Sequence, residues 1–183
     1  MERNQALELL KNKIKNKNMI KHCLATEACL IKLAEYFKED VNKWGIAGLL
    51  HDYDYEEMIN FPEKHALVGA DELEKLGLDK ESAQAIRAHN EMNGTPRNTV
   101  FEKAIYSVDP MTGLIVAAAL VLPSKKISEL TTESIINRVK EERFAAGAKR
   151  KNILACSEFG LTLEQFSKIC LEAMQGISNE LGL

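Results

Sequence analysis

Apolar residues along this chain recur at three- and four-residue spacings and hardly anywhere in strict alternation. That period belongs to helices that bury one face. It predicts helices over about 3–15, 19–38, 41–52, 64–76, 80–91, 98–121, 132–143, 147–158 and 162–181. Thr162, with Gln165 three residues on, marks a capping-box start for the last of these, and Gly77 closes the helix before it. Pro110 is expected to kink or break the long apolar stretch, and Pro123 to stop it. Strand-type runs are nearly absent, and no repeat, low-complexity tract or linker divides the chain. The expected fold is all-α: one single-domain helical bundle over residues 1–183.

Composition adds limits. With 45% hydrophobic residues in 183, there is material for a real core. A net charge of −3 gives no bulk attraction to nucleic acid or to an anionic membrane, so neither is expected as a partner. The longest apolar run, 113–122, is about half the ~18–20 residues that span a bilayer. Residues 1–17 are highly charged and carry no signal-peptide block, so a cytoplasmic protein is expected. Cys23, Cys29, Cys156 and Cys170 form no CxxC pair and read as reduced core thiols.

Chemistry concentrates in the histidines. There are four, at 22, 51, 65 and 89, and none in the last 94 residues. At 100° per residue His22 shares a face with Ala25, Cys29, Leu30 and Leu33 and points inward. His51 follows Ala47 by four and is followed at once by Asp52; His65 shares a stripe with Val68, Gly69, Leu73 and Leu76. His89 follows Ala85 and Ile86, and Asp109 follows Ile105 and Tyr106. Any one of these could be an ordinary core or turn residue. Six inward polar residues from about five helices are different, because each buried alone costs several kcal/mol. Gathering them around a cation removes most of that cost.

The ordered set His22, His51-Asp52, His65, His89, Asp109 resembles the HD-domain metal-dependent phosphohydrolases. The local contexts match too: Ala47-Gly-Leu-Leu-His51-Asp52, His65-Ala-Leu-Val-Gly69-Ala70 and Ala85-Ile-Arg-Ala-His89. The resemblance implies a motif core over about 18–125, with a C-terminal helical extension over about 126–183. It implies that His22, His51, Asp52 and Asp109 hold one divalent metal, that His65 and His89 add a second, and that Asp52 bridges them. His51 and Asp52 would then be catalytic. The implied reaction is hydrolysis of a phosphate ester or anhydride, commonly in a nucleotide. Three departures bear on the substrate: Tyr55 stands where many members have Lys, Asn90 where many have a second His, and Tyr53-Asp54-Tyr55 replaces the usual Gly after the dipeptide.

Mixed imidazole and carboxylate donors favour Mn, Fe, Co, Ni or Zn over magnesium. A phosphate substrate also needs cations, and the run from 125 to 151 supplies candidates: Lys125, Arg138, Lys140, Arg143, Lys149 and Arg150. Asp54, Glu56 and Glu57 read as an exposed acidic loop, with a proton-donor or supporting role as the alternative. Gly69 leaves room on the His65 face. Two other functions fit the same residues, a di-iron oxygenase and a non-catalytic nucleotide-binding sensor; metal content and oxygen consumption separate the first from a hydrolase.

Overall fold

Side-chain caps set most helix starts. Asp40 accepts from the backbone N–H groups of Asn42 and Lys43 at 2.9 and 3.0 Å, and α3 (Val41–Leu50) begins there. Thr99 and Glu102 form a reciprocal capping box at the head of α7 (Val100–Leu120). Thr162 and Gln165 do the same, as expected, for α10 (Leu163–Gly176). The computed structural model describes all 183 residues and contains no strand, so the chain is all-α. The remaining helices are α1 (Arg3–Lys13), α2 (Lys17–Phe37), α4 (Tyr55–Met58), α5 (Leu67–Lys75), α6 (Lys80–His89), α8 (Thr132–Lys140), α9 (Arg150–Leu154) and α11 (Ser178–Leu181).

Helical periodicity therefore located the long elements, with corrections at three places. The helix expected over 147–158 is the short α9 followed by a 3-10 turn at Ala155–Phe159, and the one over 162–181 divides at Ile177 into α10 and α11. The helix expected from 64 begins only at Leu67. Pro110 neither breaks nor ends α7. Its ring nitrogen cannot donate to the Tyr106 carbonyl, yet Val108, Met111, Leu114 and Ile115 around it are fully buried, and that burial holds the helix together. The unbroken α7 is long and apolar enough to cross a membrane by composition, but most of it is buried against the other helices.

α2 runs through the middle, packed on α3, α7 and α10, while α6 packs on α3, α5 and α7. The α2–α3 crossing is close because of glycine. A Cβ at Gly48 would stand 3.0 Å from the backbone N and Cα of Glu27 and 2.9 Å from Leu30 Cδ1. Arg3 ties α1 down by a paired contact with the buried Glu27, at 2.5 and 2.8 Å. All four cysteines are buried and unpaired.

Candidate metal centre

The six residues singled out by sequence reach one region from six places. His22 projects from α2 and Asp109 from α7; His51 caps α3, and Asp52 is the next residue in the turn that follows. His89 ends α6, and His65 lies in the turn before α5. The helical stripe expected for His65 is therefore wrong: Val68 and Leu76, its supposed companions, are exposed. Something other than helical phase aims this imidazole inward.

Around one point lie His22 Nε2, His51 Nε2, Asp52 Oδ2 and Asp109 Oδ1. His22 Nε2 is 3.2 Å from His51 Nε2, 3.4 Å from Asp52 Oδ2 and 3.1 Å from Asp109 Oδ1. His51 Nε2 is 3.2 and 3.9 Å from the same two oxygens. Donors ~2.0–2.2 Å from a shared divalent ion stand roughly 2.8–3.6 Å apart at neighbouring vertices of a tetrahedron or octahedron. Only the 3.9 Å separation falls outside that range. The other oxygen of Asp52 faces the opposite way, 3.1 Å from His65 Nε2 and 3.5 Å from His89 Nε2. Two donor groups thus share one carboxylate.

The far sides of the rings decide what the near sides offer. His51 Nδ1 lies 2.9 Å from the Gly48 carbonyl and His89 Nδ1 lies 2.6 Å from the Ile86 carbonyl. A carbonyl only accepts, so both Nδ1 atoms carry the proton and donate. His65 Nδ1 donates to Asp54 Oδ1 at 2.7 Å. Thr112 Oγ1 donates to the Asp109 carbonyl at 2.8 Å, which leaves it to accept from His22 Nδ1 at 3.0 Å. In the neutral rings every Nε2 then carries a lone pair pointed at the cluster. Lone pairs facing one another at 3.2 Å need a positive centre between them, and a divalent ion supplies one. The donor set fits a divalent metal ion.

Protons can provide the same charge. Burial pulls the His22 imidazole down, but Asp109 and Asp52 outweigh it and raise its pKa to about 10. His65 is likewise raised to about 10, because Asp52 and Asp54 overcome its burial. Burial would push the Asp52 carboxyl up; the imidazoles, His51 foremost, hold it well below the usual carboxylate range. Cys23 Sγ lies within 4.8 Å of ligand atoms of His51 and Asp52. Burial, with the Asp52 charge next, pushes this thiol well above its ordinary value, so it packs as a neutral wall.

His65 is aimed by Asp54, which the sequence placed in an exposed acidic loop. Asp54 is buried instead. Besides His65, its carboxylate accepts from Ala66 N at 3.0 Å and Gly69 N at 2.6 Å, and so caps the start of α5. Ala66 adopts φ 70°, a left-handed conformation that this grip maintains. Gly69 offers no room: a Cβ there would lie 2.9 Å from Asp54 Cγ. Asn90 Nδ2 donates to the Pro62 and His65 carbonyls at 2.7 and 3.0 Å, fixing the same loop to the end of α6. Glu56 takes the backbone N–H groups of Lys15 and Asn16, and Glu57 pairs with Lys13.

A cavity of about 400 Å³ opens over the cluster, with His22, Asp52, His65, His89 and Asp109 in its lining. Of the six basic residues expected to meet substrate, Lys149 lines it, paired with Glu91. Lys125, Arg138, Lys140 and Arg143 do not. Arg138 pairs with Glu141 and covers the Phe144 ring. Arg150 donates to the carbonyls of Arg138, Val139, Glu141, Phe144, Ala145 and Ala148. It gathers the loop that follows α8 and has no donor left over.

The family described as "HD domain" matches residues 19–146. Ribonuclease Y of Nitratidesulfovibrio vulgaris (strain DP4) is 32% identical over 98 residues, which is 54% of this chain and 18% of that protein. Ribonuclease Y of Lawsonia intracellularis is 27% identical over 113 residues, 62% of this chain and 22% of that protein. The chain thus spans under a quarter of the length of these relatives. No solved structure matches it.

Proposed function

We propose, from the premise that this chain belongs to the HD domain family, that it hydrolyses a phosphate ester or anhydride in a small phosphorylated metabolite such as a nucleotide. One observation carries the reading: Asp52 turns one oxygen to His22 and His51 and the other to His65 and His89, within a cavity of small-molecule size. His22, His51, Asp52 and Asp109 would hold one divalent ion, and His65 and His89 with Asp52 a second. Such ions neutralise phosphoryl oxygens and make water more acidic near neutral pH.

The chain's own groups do the rest. Gly48, Ile86, Thr112 and Asp54 lock the four rings so that each Nε2 faces inward. Asp109, 35% exposed, is the carboxylate closest to solvent and borders the space where a phosphoryl group would lie. A lining with one lysine, already paired, offers no cation track along a polyanion, which favours a small ester over a long RNA strand. The experiment is metal analysis of the purified protein followed by phosphate release from nucleotides and sugar phosphates. Metal-dependent release supports the reading, and a metal-loaded protein that releases phosphate from none of them refutes it. Oxygen consumption by an iron-loaded form would point instead to the oxygenase.

A further inference from the structure

Asn152 has no part in the cluster, yet it lines the cavity. It is 8% exposed, and its Oδ1 is buried with no hydrogen-bond partner in the protein. Buried carbonyl oxygens are seldom left unpaired, and those that are call for an explanation. One turn earlier on the same wall stands Lys149, whose ammonium pairs with Glu91. Glu91 also accepts from the Tyr106 hydroxyl at 3.1 Å. This side of the cavity therefore sets a carboxamide, its Oδ1 turned away from solvent, next to an ammonium–carboxylate pair. Rotation of the carboxamide exchanges which end faces the cavity.

Charge narrows what fits. Lys149 is the single Lys or Arg of the lining, against Asp52, Glu91 and Asp109. Beyond the reacting phosphoryl group no unpaired cation awaits further phosphates. Lys149 and Asn152 lie beyond the family match, which ends at residue 146, while Glu91 and Tyr106 lie within it.

We infer that Asn152, beside the Lys149–Glu91 pair, is a specificity-determining residue that binds the uncharged, donor- and acceptor-bearing remainder of a monophosphate ester, a nucleoside or a sugar. The inference rests on the phosphohydrolase reading for its phosphate. Its test is equilibrium binding by the full chain, wild type and Asn152→Ala, to a nucleoside 5′-monophosphate, a hexose phosphate, a nucleoside triphosphate and inorganic phosphate. The wild type should bind one of the two monophosphate esters about tenfold more tightly than inorganic phosphate, and more tightly than the triphosphate. Asn152→Ala should lose about 5- to 30-fold for that ester and nothing for inorganic phosphate, as expected for a lost hydrogen bond. The ester that responds tells nucleoside from sugar. If Asn152→Ala does not fold, the near-isosteric Asn152→Leu must show the same selective loss. Unchanged ester binding, equal weakening of inorganic phosphate, or tightest binding of the triphosphate overturns the inference. A wild type that binds the ester selectively but releases no phosphate sinks the hydrolase reading and leaves this one standing.

Discussion

Replacing Asp54 with Asn keeps the shape of a buried side chain and removes one acceptor. In the native protein its two oxygens receive His65 Nδ1 at 2.7 Å, Ala66 N at 3.0 Å and Gly69 N at 2.6 Å. Whichever way the introduced carboxamide turns, its NH₂ meets an N–H donor. If the remaining oxygen stays with His65, the bond to Gly69 is lost and two donors face each other at the start of α5. A hydrogen bond to a charged group contributes ~1.5–3 kcal/mol, so the variant should lose about 2–4 kcal/mol of a total near 5–15. The His65 ring, no longer clamped, should cost 10–100-fold in affinity for the ion that His65 and His89 face. Urea unfolding in chelator measures the first effect, and competition with a metal-binding dye the second. The ion facing His22 and Asp109 should be held nearly as before. Stability within about 0.5 kcal/mol of wild type, together with unchanged uptake of both ions, would refute the account of Asp54 as the group that positions His65.

Asp52→Asn should leave helicity intact while metal content falls and phosphate release becomes undetectable, since both donor groups lose their shared charge; wild-type-like turnover would end the mechanism. Arg150→Ala removes the guanidinium from six carbonyls, of which those of Arg138, Glu141 and Ala145 keep a backbone donor, and should loosen residues 138–148, lowering stability by about 2 kcal/mol. Amide exchange that speeds up there, with the cluster still protected, is the expected pattern, and uniform exchange rates in the variant would contradict it. In the metal-free chain His22 and His65, raised to about 10, carry protons at pH 7. That charge stabilises the metal-free fold fully below pH ~6.5, and the contribution is lost as pH climbs through about 10. Metal must displace these protons, so apparent affinity should rise from pH 7 to 9; calorimetry in two buffers of different ionisation enthalpy reads the release, and heat independent of buffer would contradict it.

Local patterns in the sequence reached far here. Helical periodicity and the capping pair Thr162–Gln165 placed the long elements because amphipathic phase and caps depend on neighbours within a turn or two. The ordered HD-type blocks pointed to six side chains that do converge, since the shared motif already encodes their packing. His65 shows where periodicity stops: its direction comes from Asp54 and the left-handed Ala66, a grip formed across a turn with no helical phase. Arg150 shows the same for charge. A basic run looks available for phosphate, but six carbonyls in the last turn of α8 and the loop after it claim the guanidinium, and nothing within the run announces that. Asn152 gave no signal either, because a lone asparagine on a short helix acquires meaning only from the cavity it borders.

The scattering of the cluster residues along the chain from 22 to 109 has a thermodynamic consequence. Unfolding disperses them, so an ion held by the native protein has no comparable site on the unfolded chain. Its binding then adds RT ln(1 + [M]/Kd) to stability, ~4 kcal/mol when free metal is a thousand times Kd. Chelation would raise the fraction of open molecules by roughly the same thousandfold, offering them to proteases. The supply of metal would thus govern how long each copy survives as well as how fast it works.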